Sequence, residues 1–100
     1  MNTSLLGLSF DNSKFHKGIQ LVLNFGMYEL SVICHEGSYG GPQGLFEIMV
    51  TETINNEGVA LPGITSEGDS VRGWLTLDEV ANICTKLTVI TGNEPVKVPL

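Results

Sequence analysis

The segment Ser38-Tyr39-Gly40-Gly41-Pro42-Gln43-Gly44-Leu45-Phe46-Glu47 decides how the rest of the chain is arranged. Residues 38–44 hold three glycines and one proline, too many for a regular element. Glycine admits positive φ, while Pro42 fixes its own φ and restricts the residue before it. The segment therefore reads as a tight bend of specific shape that runs straight into an apolar strand. The chain before the bend reads as strand, and the chain after it returns through one helix.

Upstream, residues 19–25 alternate. Ile19, Leu21, Leu23 and Phe25 point one way and Gln20 and Asn24 the other, with Val22 breaking the pattern. Period two with β-branched residues marks a half-buried strand. Gly26 is a bend before a second strand over residues 27–35. There Tyr28, Leu30, Val32 and Cys34 form the more apolar face, which is assigned to the core. Downstream, residues 45–53 place Phe46, Ile48 and Val50 on one face and Leu45, Glu47, Met49 and Thr51 on the other. Both faces are largely apolar, which predicts a central strand.

The flanks carry weaker signals. Leu5, Leu6, Leu8 and Phe10 suit a short edge strand, and Asp11-Asn12-Ser13 a turn. Asn55-Asn56-Glu57-Gly58 reads as a turn, Val59-Ala60-Leu61 as a short strand, and residues 65–70 as a mobile surface loop. Residues 71–75 then re-enter the core. Thr76-Leu77-Asp78-Glu79 is a capping box, with two acids where the helix dipole favours them. Leu77, Val80, Ala81, Cys84, Leu87 and Thr88 share the spacing of one buried helical stripe. Gly92 and Pro95 stop the helix, and the tail with Val96 and Val98 suits an edge strand. A helix with one apolar stripe must cover something. The expected fold is α+β: a small antiparallel β-sheet with one C-terminal amphipathic α-helix packed across one face, as a single domain over residues 1–100.

Composition narrows the function classes. The 100 residues are 42% hydrophobic and only 16% charged, with five Lys+Arg against eleven Asp+Glu and a net charge of -6. No basic run exists to track a phosphate backbone, which weighs against nucleic acid as a partner. The low charge and spare apolar faces suit either a Thr- and Ser-coated β domain or self-association into a homo-oligomer. Residues 1–8 lack the basic start and long apolar run of a signal peptide. No stretch approaches the roughly 18 apolar residues of a membrane span. A soluble, cytoplasmic protein is expected. Cys34 and Cys84 sit in apolar periodic segments, where free cysteine behaves as a small hydrophobe.

Several residues invite chemistry. The glycine loop lacks the Lys-Ser/Thr ending of a phosphate loop and leads into a strand, so its first reading is a hairpin connection. Against that, Ser38, Tyr39 and Gln43 are polar groups on a stiff turn, and amides in such a turn can form an anion nest with Gly40 and Gly41. Cys34 and His35 are neighbours on a strand and point to opposite faces, so they make no nucleophile–base pair; His16 is the other histidine. Glu47 needs solvent, a partner or a ligand, and Arg72 is the natural partner. Trp74 reads first as a core anchor between helix and sheet, and alternatively as an aromatic platform beside Tyr39. Neither metal-ligand spacing nor a cofactor motif is present.

Ser38-Tyr39-Gly40-Gly41, Gly44-Leu45-Phe46-Glu47 and Gly73-Trp74-Leu75-Thr76 with Glu79 together resemble a group of small bacteriophage accessory proteins. That group carries S-Y-G-G-x-x-G-L-[FWY]-E and later G-W-L-T before an acidic-capped helix. The resemblance covers roughly residues 27–87; Pro42 and the insert over residues 55–70 depart from the pattern. It implies a phage accessory protein acting in the host cell, neither structural nor replicative. The leading expectation is a non-enzymatic counter-defence protein. It would sequester a small nucleotide-derived immune signal in a cleft formed by Tyr39, Gln43, Glu47, Arg72 and Trp74. The alternatives are an inhibitor that masks a host defence protein, in the manner of an anti-CRISPR, and a ligand-free homodimer.

Overall fold

A computed structural model describes residues 3–13 and 17–100. His16 and the first two residues lie outside the described residues. The chain opens with a hairpin of β1 (Ser4–Leu5) and β2 (Leu8–Ser9) that forms its own two-stranded sheet. This replaces the expected single edge strand. Leu6 and Gly7 both take positive φ, the geometry of a two-residue hairpin turn. Next comes β3 (Asp11–Asn12), which is strand and not the expected turn, since it pairs with Ile19 and Gln20.

The main sheet is a meander of β4 (Gly18–Asn24), β5 (Tyr28–His35) and β6 (Phe46–Glu52), each antiparallel to the next. Two short strands line each outer side of this trio. β3 and β9 (Val96–Val98) both pair with β4; β7 (Glu57–Gly58) and β8 (Val71–Leu75) both pair with β6. β6 is an interior strand paired on both sides, as expected, although only its Phe46, Ile48 and Val50 face is buried, and the tail is an edge strand.

The alternating residues meet the core as expected. Leu21, Leu23 and Phe25, Leu30 and Val32, and Phe46, Ile48 and Val50 are all buried in one contiguous cluster. Helix α1 (Leu77–Thr91) supplies Val80, Ile83, Cys84 and Leu87 to the same cluster. The fold is therefore α+β, with one C-terminal helix on one sheet face. Ile83 joins the stripe read from sequence, while Thr88 is only half-buried. Both halves of the capping box form: Thr76 Oγ1 accepts the Glu79 N–H at 3.2 Å, and Glu79 Oε1 accepts the Thr76 N–H at 3.0 Å. Gly92 ends the helix in the left-handed conformation.

The insert departs from expectation. Its strand is Glu57–Gly58, and residues 59–61 add only one ladder bond, from Val59 N–H to Val50 C=O. Residues 66–69 are exposed, as expected of a surface loop, but the chain entering that loop is anchored. Ile64 is fully buried, Thr65 is nearly so, and its hydroxyl accepts the Leu61 N–H. Lys86 on α1 also reaches across to the Gly63 carbonyl at 3.0 Å. Among the described residues no helix is long and apolar enough to cross a membrane.

Candidate functional site

The glycine bend uses its polar groups on itself. Ser38 is buried, and its hydroxyl both accepts from the His35 N–H and donates to the His35 C=O, each at 2.9 Å. A single turn of 3-10 helix (Gly41–Gln43) comes next. The amides of Ser38, Gly41, Gln43, Gly44 and Leu45 all donate to carbonyls within residues 35–41. The Tyr39 N–H donates to Glu47 Oε1 at 2.8 Å. Amides turned inward do not converge on an anion, which favours the hairpin-connection reading of the bend over an anion nest. These glycines are there for space. A side chain at Gly41 would collide with the His35 carbonyl and the Ser38 hydroxyl.

The bend and Trp74 lie side by side. The Trp74 N–H donates to the Tyr39 carbonyl at 3.1 Å, and a side chain at Gly73 would strike the Tyr39 Cβ. Gly40 is close as well: its missing Cβ would sit 3.0 Å from the Trp74 Cα. Trp74 itself has φ 62, an outlier for a bulky residue. That backbone turns the indole outward. Trp74 is 59% exposed and Tyr39 61%, while Leu75 takes the core position. The core-anchor reading of Trp74 is thus overturned: Tyr39 and Trp74 are exposed side chains on adjoining backbones, and Gln43 in the bend is exposed as well.

Glu47 and Arg72 do not pair. Glu47 stands opposite Ile33 on the sheet face away from the helix, and its carboxylate is taken by the Tyr39 amide. Arg72 stands opposite Ile48, and its charge helps hold the Glu79 carboxyl below the usual carboxylate range. The larger causes of that lowering are the two hydrogen bonds from Thr76. The eight residues singled out from sequence therefore split three ways. Ser38, Gly40 and Gly41 shape the bend; Tyr39, Gln43 and Trp74 form its surface; Glu47 and Arg72 face different ways.

A second feature was not legible in the sequence. Glu47 lines a cavity of about 220 Å³ on the open sheet face, together with Ser13, Gln20, Ser31, Ile33, His35 and Met49. Period two alone puts Ser31, Ile33 and His35 on one face of their strand. Only the register of three strands brings Gln20 and Glu47 to them. Cys34 faces the other way, as expected, and its thiol donates to the Gly41 carbonyl at 3.7 Å. Cys34 and Cys84 are both free thiols. Among the described residues no group of three or more His, Cys, Asp or Glu could hold a metal ion. Comparison of the chain with protein-family models, with curated proteins and with solved structures gave no match.

Proposed function

We propose that this protein is a non-enzymatic binder that masks a surface of a host defence protein, using Tyr39 and Trp74 as its anchors. One observation carries the reading: two aromatic side chains, each more than half exposed, project from backbones locked together by a hydrogen bond. Tyr and Trp dominate the energy of protein interfaces because they bury much area at little entropic cost. Backbones already fixed to each other lose little freedom on docking. The inward-turned amides favour this over a phosphate cradle, and the net charge of -6 works against polyanions. The phage context comes from the motif resemblance alone.

Sequestration of a nucleotide-derived immune signal is the second reading. It uses the same exposed rings to stack a base, with Arg72 two positions before Trp74 as the phosphate partner. One experiment separates them. The single tryptophan is a native fluorescence probe of the surface. A defence protein recovered with the wild type but not with Trp74→Ala, and blue-shifting the indole emission when purified, supports masking. An emission change with cyclic nucleotides or ADP-ribose derivatives supports sequestration. Equal recovery of partners by wild type and Trp74→Ala would refute the anchoring role.

A further inference from the structure

The cavity on the open sheet face has a regular construction that points to a ligand of its own. Ile33 is its floor. Across the strands, Ile33 stands directly between Gln20 on β4 and Glu47 on β6. Along β5, Ser31 and His35 are two residues away on the same face. The result is an apolar centre ringed by four polar side chains, all half-buried.

The ring is oriented by bonds already made. Gln20 Nε2 donates to Ser31 Oγ at 3.1 Å, which turns the Gln20 amide oxygen and the Ser31 hydroxyl hydrogen elsewhere. His35 Nδ1 accepts the Gly37 N–H at 3.0 Å, which fixes the imidazole at the cavity's edge. Glu47 gives one oxygen to the Tyr39 amide, leaving its second oxygen as an acceptor. The Glu47 carboxylate thus stands across Ile33 from the uncharged Gln20 amide, over an apolar floor of Ile33 flanked by Met49.

We infer that this cavity binds a singly charged ammonium or guanidinium group carried on an apolar stem. The cation pairs with Glu47 and donates a second hydrogen bond to the Gln20 amide oxygen; the stem lies over Ile33 and Met49. At about 220 Å³ the space falls below the roughly 300 Å³ at which drug-sized pockets begin. It suits one short chain. The chemistry is shared by a free alkylamine or polyamine and by a Lys or Arg side chain of another protein. The inference does not rest on the anchoring role of Tyr39 and Trp74, although Glu47 also holds the Tyr39 amide.

The test is a titration of the isotope-labelled protein tracked by amide NMR, with pentylammonium, spermidine, Nα-acetyl-lysine methylamide and uncharged 1-pentanol as probes. Saturable shifts of the Gln20, Ser31 and Ile33 amides are expected with the three amines, with the Trp74 indole signal unmoved. Glu47→Gln keeps an acceptor oxygen for the Tyr39 amide and removes the charge, and should weaken binding at least tenfold. Ile33→Lys fills the cavity with a tethered ammonium and should abolish it. Tighter binding of spermidine assigns the site to free amines, and tighter binding of the lysine derivative to a protein side chain. Absence of saturable shifts, equal binding of pentanol, or binding unchanged in Glu47→Gln would overturn the inference.

Discussion

Trp74 combines an exposed indole with a left-handed backbone, two costs at one position. A non-glycine residue held there stores about 1–3 kcal/mol of strain. Glycine relieves it and gives back roughly 0.5–1 kcal/mol in backbone entropy. Trp74→Gly should therefore leave chemical-denaturation stability unchanged or raise it by about 1 kcal/mol while abolishing partner binding. A loss above about 2 kcal/mol would mean that the indole is structural after all. The thiols make a second prediction at this scale. Burial pushes the Cys84 thiol up to about 12 and raises Cys34 as well. The thiolate is the reactive form. At pH 8 a disulfide reagent should label Cys84 only as fast as the protein opens, and rapid labelling in denaturant should be the contrast. Trp74 also shows where residue-level reading stops. Hydrophobicity alone sends an indole inward; its outward turn depends on a carbonyl far earlier in the chain, at Tyr39. The amide partner of Glu47 is hidden for the same reason, because backbone donors look identical in any sequence.

At the scale of elements, helix α1 was the most legible part of the chain, since its start signal is local. Thr76→Ala should cost about 1 kcal/mol, read from the urea midpoint. The box also makes stability depend on pH. Glu79 is held below its ordinary value of 4.5, so its folded state binds a proton less readily than its unfolded state. The resulting stabilisation is present above about that value and is lost as pH falls through the lowered folded one. Glu79→Gln should flatten the stability–pH curve in that acid window and leave its shape at neutral pH unchanged. Strand faces were equally readable, because period two shows in residues 19–25 and again in residues 28–34. The insert was not. Ile64 is one apolar residue among Pro, Gly, Thr and Ser, and no periodicity announces that it is fully buried. The staple from Lys86 to the Gly63 carbonyl spans 23 positions and leaves no pattern at either end.

At the scale of the molecule, the two ends of the described chain are joined. β9 pairs with β4, and Lys97 reaches the Ser9 carbonyl at 2.8 Å and the Asp11 carboxylate at 3.1 Å. Both side chains of this ion pair are partly exposed, so Lys97→Met should cost no more than about 1 kcal/mol, shrinking in high salt. Removing residues 96–100 should cost more, at least about 2 kcal/mol, because it uncovers Val22 and deletes a row of the sheet. Thermal unfolding of the two variants side by side checks the ordering.

The paired short strands at each margin of the sheet have one more consequence. Long, straight borders of unpaired backbone act as templates on which further chains deposit as fibrils. Here β3 and β9 divide one border and β7 and β8 the other, and none of these four runs beyond five residues. A chain this poor in charge would otherwise be at risk of amyloid growth. Its interrupted rims offer only short edges to such growth.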